Sequence, residues 1–581
     1  LEMPSAKFMN RATLLPAIKA GKVLEATIDD KIRRILRKAI EFGFFDRQQT
    51  DASVPLYNPQ GSELALETAR GSMVLLKNEG HLLPLDKSRI KTVAVIGPNA
   101  YPAEPVGGGS ARVAPYRALS VLEGLSDYLG NAVTVYYHQG IPVDYRPGVP
   151  PVGRDGFDAT KFMTAAQNGE AGLKAEYFSN PELQGSPALT RTEREARNLP
   201  REVTSRNYSV RWSGYYIPKN SGIQKFWIST PGQDRGRDYA YRLYVDDKLV
   251  LDRWQRYNTT LDNYSMQVQA GKPYSIRLEY FNQNGQVRVG LGVVDPATVV
   301  DPEAKQLAAR ADVAIVCIGF NPELEKEGAD HTFELPPGQD ELVSEILKAN
   351  KNTVVLLTAG SGVDMTRWID QAPALVDTWY PGQEGGKAIA QMLFGEFSPS
   401  GKLPVSFERS WQDNAVVNSY YPPDGEMKVA YSEGVFVGYR HFDKTGKKPL
   451  FPFGYGLSYT TFAYSNLNVS PATVSGDGPV TVSFDVKNTG QREGAEVAQV
   501  YVSDGHASVP RPPKELKGFS KVSLKPGESR HLTILLNRRA MSYYDVNSKQ
   551  WKADPGDFEV LVGPSSQEIA LRGKFTLQGG R

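Results

Sequence analysis

The strongest constraint on this chain is an interruption. Thr92–Ile96 and Val313–Phe320 are short, almost wholly apolar runs of the kind that form buried strands in parallel sheets. Between them, from Leu173 to Val294, the texture switches to short polar–apolar alternations with no helical period, such as Tyr208–Trp212, Lys225–Ile228, Tyr241–Val245, Leu249–Leu251 and Tyr274–Tyr280. Asp246-Asp-Lys248 separates two of these as a hairpin turn. After residue 313 the other pattern returns: strand Val313–Phe320, helix Gln339–Asn350, strand Thr353–Ala359, strand Ala374–Trp379 and helix Gly385–Leu393. Alternating β and α segments imply a parallel sheet. One α/β domain with an all-β module inserted at an exposed loop satisfies both halves.

A chain of 581 residues exceeds one hydrophobic core, so three or four domains are expected. Residues 1–46 read as the tail end of a preceding domain, which the family resemblance given below identifies as a (β/α)8-type barrel. There Thr27-Ile-Asp-Asp30 resembles a capping box, and Ile28, Ile32, Ile35, Leu36 and Ala39 share one helix face that ends near Gly43. A lone helix cannot bury such a face, so it needs a partner. Residues 47–58 are a linker. The α/β domain occupies 59–168 and 299–456, around an insertion at 169–298. A Ser/Pro/Gly-rich linker spans 457–478. Residues 479–581 form a β-sandwich built from Val480–Val486, Val497–Val502, His531–Leu536 and Phe558–Val562.

Composition excludes several classes. The net charge of +2 gives no reason to expect a nucleic-acid or acidic-membrane partner. The one cysteine, Cys317, lies in an apolar strand, where a thiol is inert, and it rules out an internal disulfide or a zinc–cysteine cluster. No apolar run reaches membrane-spanning length. The first residues show no basic-then-apolar leader and no initiator Met, so the natural N-terminus is expected elsewhere. Aromatic content of 10% fits sugar-stacking surfaces and β-rich cores equally.

The chemistry-bearing segment is Asn321–His331, reading NPELEKEGADH, which follows the Val313–Phe320 strand. The carboxyl ends of strands are where open α/β sheets place ligands. Glu323, Glu325, Glu327 and Asp330 crowd it, and like charges raise one another's pKa toward the range a general acid needs. A plain solvated acidic loop has the same composition. Gly107-Gly-Gly-Ser110 matches neither common phosphate-binding pattern and reads as a flexible loop closing over a site. Asp246, Asp247, Asp252 and Trp254 could bind calcium or sugar, or could be a hairpin beside a buried Trp. Ser-His-Asp catalysis lacks a GxSxG elbow.

Taken together, the ordered motifs resemble glycoside hydrolase family 3. Leu1-Glu-Met-Pro4 is similar to the segment after that family's nucleophile strand. Ile28-Asp-Asp30 through Gly43-Phe-Phe-Asp46 resembles the exit from its barrel. Ala69-Arg70, Val74-Leu-Leu-Lys-Asn78 and Leu83-Pro-Leu85 resemble the start of its α/β sandwich domain. Val93–Asn99, Gly107–Ala111, Trp379–Gly386, Leu393-Phe-Gly395, Pro399–Pro404, Gly438-Tyr-Arg440 and the highly specific Phe451–Tyr459 continue the series. Arg511–Phe519 resembles its fibronectin-III-like domain. Glu176-Tyr-Phe178, Val210-Arg-Trp212, Leu243–Asp247 and Asp252-Arg-Trp254 resemble a PA14 insertion.

The resemblance implies a multidomain α/β plus all-β protein: an α/β sandwich with a parallel sheet, a PA14-like β-sandwich or barrel inserted in it, and a fibronectin-III-like β-sandwich. It implies a retaining exo-β-glycosidase, chiefly a β-glucosidase acting on oligosaccharides or glycosides. The alternatives are a β-xylosidase and a non-catalytic carbohydrate-binding protein. Retention uses two carboxyls roughly 5–5.5 Å apart and no cofactor or metal. The family's E-G-x-D-R-like motif falls on Glu327-Gly-Ala-Asp330-His331, with His331 in place of Arg, so Glu327 inherits the acid/base role and Glu325 is its rival. No residue matches the family's nucleophile Asp motif. That Asp is expected in a barrel of about 250 residues, in the same polypeptide or as a separate chain, and these residues alone are expected not to turn over. The insertion is expected to overhang the site. The resemblance also implies a periplasmic or secreted location, leaves self-association open and names no membrane or nucleic-acid partner.

Overall fold

The computed structural model describes residues 8–51, 53–55, 57–141, 157–158, 161–196, 199–230, 239–254, 261–283, 289–327, 331–420 and 428–579. The chain divides into two compact units, residues 1–61 and 62–581.

The first unit holds two helices. Arg11–Lys19 is capped by Asn10, whose side chain accepts from the N–H groups of Ala12 and Thr13. The second helix runs Glu25–Glu41. It begins a turn before the capping box read at Thr27–Asp30, because Leu24 already has extended backbone and Asp30 is taken by an ion pair with Arg34 at 2.8 Å, one turn on. Ile32, Ile35 and Leu36 are exposed on this unit's own surface.

In the second unit a six-stranded sheet forms the α/β domain: β1 (Val74–Asn78), β2 (Thr92–Ile96), β3 (Thr134–His138), β4 (Val313–Gly319), β5 (Thr353–Thr358) and β6 (Ala374–Asp377). Their order across the sheet is β1-β6-β5-β4-β2-β3. Five strands are parallel, which requires helical crossovers and explains the near-continuous apolar runs, buried on both faces. β1 departs from the parallel expectation and pairs antiparallel with β6. Its partner comes from far along the chain, so no short crossover fixes its direction. β3 and β4 flank β2 in the sheet, so the chain leaves the sheet after β3 and returns to it at β4.

The regular elements among the described residues of the inserted segment are strands. A seven-stranded antiparallel sheet, with Tyr208–Tyr216 and Tyr274–Asn282 at its centre, packs on a three-stranded sheet of Gly222–Ser229, Leu261–Val268 and Gly290–Val294. The first strand joining the large sheet is Phe162–Met163, upstream of the boundary expected at 169. The aromatics that left two readings open are core here: Tyr177, Tyr208, Trp212, Tyr241 and Tyr280 are fully buried. Asp246 and Asp247 turn the hairpin with φ of 48° and 58°, the left-handed pair a two-residue turn requires. Trp227 leaves the insertion's own core and packs in that of the α/β domain, and Lys225 reaches Asp340 at 3.6 Å.

The C-terminal sandwich pairs a three-stranded with a five-stranded sheet. Its first strands, Phe462–Ser470 and Thr473–Ser475, occupy the stretch expected to be a linker. Their outward positions are Ser and Asn, which lends a strand the composition of a loop. The Phe451–Tyr459 motif stitches this end of the α/β domain together: Leu457 N–H donates to the Leu75 carbonyl and Leu403 N–H to the Tyr455 carbonyl, both at 2.8 Å. No described helix is long and apolar enough to cross a membrane.

Candidate active site

Three chain segments, leaving the sheet at the carboxyl ends of β2, β5 and β6, converge on the acidic loop that follows β4. β4 is wholly buried and ends at Gly319, whose N–H and carbonyl are both held by the Gln339 side chain, at 2.7 and 3.0 Å. Asn321 then turns the chain, its side chain accepting from Glu323 N–H at 3.0 Å and Leu324 N–H at 3.2 Å. Leu324 drops into the core, which fixes Glu325 on its inner side.

Glu325 is mostly buried and accepts from three directions. The Tyr380 hydroxyl, after β6, donates to Oε2 at 2.6 Å. The Gly360 N–H, after β5, donates to the same oxygen at 2.8 Å. His331 Nε2 faces Oε1 at 3.4 Å, its ring stacked on Phe320 at 4.0 Å between centroids. Burial alone would raise this carboxyl, but the bonds from His331, Tyr380 and Gly360 outweigh it and hold the carboxyl below its ordinary value. The Tyr380 hydroxyl is correspondingly raised, by burial first and by the Glu325 charge second.

Glu327 lies two residues on and is exposed. Ser110, after β2, donates to its Oε2 through both the N–H, at 2.9 Å, and the hydroxyl. The Gly107–Ser110 loop is therefore tied to the acidic loop, and Gly108 N–H also donates to the Glu325 carbonyl at 2.9 Å. Gly109 has φ +86°, and a Cβ there would stand 2.5 Å from that of Glu327. Glycine is required because the two loops touch at that point. The loop read as a flexible flap is a brace.

Glu323 is exposed, and Asp330 lies outside the described residues. Two acids missed in the sequence flank the site. Glu104 is largely buried, and burial pushes its carboxyl up to about 7 while Arg112 pulls the other way. It lines a cavity of about 20 Å³ with Asn99, Thr358 and Gly382, room for a water molecule. Asp377, at the end of β6, is fully buried. The sequence signal for these positions is proximity to strand ends. Tyr380 sits inside the quoted Trp379–Gly386 motif, but no pattern gave it a role.

Asp246, Asp247, Asp252 and Trp254 are far from forming a metal site: no cluster of three metal-ligating side chains occurs among the described residues. Asp252 instead faces Arg242, whose guanidinium lies 4.7 Å from the Trp254 ring centre. Cys317 is buried in β4 and its thiol is raised, leaving it unreactive.

The chain is similar to known proteins over its whole length. The family described as glycosyl hydrolase family 3 C-terminal domain matches residues 73–459, and a fibronectin type III-like domain matches 496–566. A probable beta-glucosidase I of Aspergillus niger is 33% identical over 623 aligned positions, covering 100% of this chain and 72% of that protein. The beta-glucosidase of Kluyveromyces marxianus, solved in complex with glucose, superposes with a TM-score of 0.67 at 31% identity, covering 100% of this chain and 70% of that one. DesR, a beta-glucosidase of Streptomyces venezuelae solved with D-glucose, gives 0.69 at 29% identity, over 99% and 67% of the two chains.

Proposed function

The chain belongs to glycosyl hydrolase family 3, and from that premise we propose that it supplies the acid/base half of a retaining exo-β-glucosidase site, releasing terminal β-D-glucosyl residues from oligosaccharides or glycosides. The observation that carries this is the acidic loop itself. One carboxylate is largely buried and oriented by Tyr380 and Gly360 from two neighbouring segments and by His331 at the end of its own loop, and a second is held beside it by Ser110. A solvated charge run has no such second layer. The similarity of the full chain to beta-glucosidases sets the glycone. The nucleophile Asp belongs to a barrel domain outside these residues, in the same polypeptide or as a separate chain.

The family motif puts the acid/base role on Glu327. The geometry supports a second reading, with Glu325 in that role, because Glu325 is largely buried and aimed by groups following both β5 and β6, whereas Glu327 is exposed. Leaving-group dependence and azide rescue separate them. In the enzyme that contains this chain, loss of the general acid cuts hydrolysis of alkyl glucosides by about 10²–10⁴-fold and spares glucosides with strongly acidic leaving groups. Azide then restores turnover and yields β-glucosyl azide. This pattern is expected for Glu327→Gln, and the same pattern in Glu325→Gln alone would transfer the role. Its absence from both variants would refute the proposal.

The insertion is read as PA14-like and as a wall that limits substrate length. Its dock through Trp227 and Lys225 holds it to the helix Gln339–Ala349, whose first residue clamps the base of the acidic loop. Deleting 169–298 is expected to raise the relative rate on longer glucans against disaccharides. Unchanged ratios would remove this role.

A further inference from the structure

We propose that Asp377 is a positioning residue of this site, a neutral carboxylic acid that holds the Trp379–Tyr380 turn so that the Tyr380 hydroxyl meets Glu325. Three observations carry it. Asp377 is completely buried at the carboxyl end of β6, yet neither Lys, Arg nor His pairs with it among the described residues. Its Oδ2 has no hydrogen-bond partner, and its Oδ1 accepts only from the Trp379 N–H, at 3.0 Å. A buried charge without a countercharge costs far more than a buried neutral acid with one oxygen unsatisfied.

The bond falls where the backbone needs it. Trp379 has φ +51°, a left-handed conformation that a bulky residue adopts only under constraint. Its ring is wedged edge-on against Phe407, 6.1 Å between centroids. With Trp379 held at both ends, Tyr380 is delivered at one place, 2.6 Å from Glu325. The strand neighbours of Asp377 are apolar, Val74 on β1 and Leu357 on β5. Burial raises its carboxyl well above the ordinary value, the Trp379 N–H opposes the rise, and the charge on Glu325, the ionisable group acting on it, adds to it. Keeping Asp377 neutral spares Glu325 a second charge beside it at the end of β6.

Two readouts test it, and the first does not depend on the reading of the acidic loop. Infrared difference spectra of the whole protein should show a protonated-carboxyl band that persists above pH 8, where Glu104 has titrated, and that disappears in Asp377→Asn. Kinetics of the enzyme supply the second, which rests on the acid/base proposal. Asp377→Asn keeps the shape and neutrality of the acid and should retain kcat and both limbs of the pH profile. Asp377→Ala should lower kcat by about tenfold or more, with KM little changed, and Tyr380→Phe should add nothing further to it. Should Asp377→Ala fail to fold, the band and the pH profile of Asp377→Asn decide. Absence of the band, a displaced pH limb in Asp377→Asn, or an Asn variant as impaired as the Ala variant would overturn the proposal.

Discussion

Two largely buried carboxylates in this molecule each accept from a tyrosine hydroxyl and face two further groups, yet they stand in different surroundings. Glu193, in the insertion, accepts from the Tyr177 hydroxyl at 2.9 Å, the Trp212 indole at 2.7 Å and the Arg191 guanidinium at 2.8 Å. Glu325 accepts from a tyrosine hydroxyl and a backbone N–H and faces a histidine. The difference is where the donors stand. Those of Glu193 lie on regular antiparallel strands of one sheet, so they lock it and exclude ligand. Those of Glu325 come from the loops after β5 and β6 and from the far end of its own loop, at the carboxyl end of a parallel sheet, where open α/β sheets bind ligands. Burial and hydrogen bonding alone therefore do not mark a functional carboxylate, and the proposal for the acidic loop rests on the topology around it.

Removing Glu193 should give the largest stability effect. Glu193→Ala strips the acceptor from two buried donors and leaves a cavity among rings, and each orphaned group costs about 1–3 kcal/mol. A loss of about 3 kcal/mol in denaturant unfolding is expected, with the kinetics of the folded fraction unchanged. Glu325→Gln should do the reverse, sparing stability and removing rate. If Glu193→Ala instead impaired catalysis at unchanged stability, the contrast would collapse.

The effect of Tyr380→Phe should be smaller and more diagnostic. It removes a donor that favours the ionised form of Glu325, so that carboxyl should rise. Activity that requires ionised Glu325 is lost as pH falls through its pKa, so the acid limb should move to higher pH, with about a tenfold loss in kcat/KM at low pH, the equivalent of one charge-assisted hydrogen bond. An acid limb that stays in place would show that ionisation of Glu325 does not set it, whereas a limb that moves would mark Glu325 as a group needed in its charged form and leave the proton donor's role to Glu327.

Much of this site was readable in advance, and the unread part has a physical cause. The strand Val313–Phe320 and the acid run after it are local features, so the loop could be placed at a strand end. Gly108 and Gly109 were visible as a glycine run, but their reason, contact with residues beyond the insertion, is not local. The partners of Glu325, Tyr380 and Gly360, are set by the order β6-β5-β4 in the sheet, and a run of apolar residues does not state its neighbours. The missed strands at 462–475 failed for a different reason. Edge strands facing water with Ser and Asn look like linkers when only composition is weighed.

Glu104 sharpens the comparison from the other side, because it is buried next to the site without a set of donors. Burial raises its carboxyl to about 7, well above that of a carboxyl in an unfolded chain. Folding therefore favours its protonated form. The associated stability is fully present below the unfolded value near 4.5 and is lost as pH rises through about 7. Glu104→Gln, neutral throughout, should match the parent near pH 4 and exceed it near pH 8 by on the order of 1 kcal/mol, after allowance for partial solvent screening. Thermal unfolding of the two proteins across that range reads the difference directly. Parallel stability curves would mean that Glu104 ionises as freely in the folded protein as in the unfolded chain, and that the cavity beside Asn99 is wet enough to solvate it.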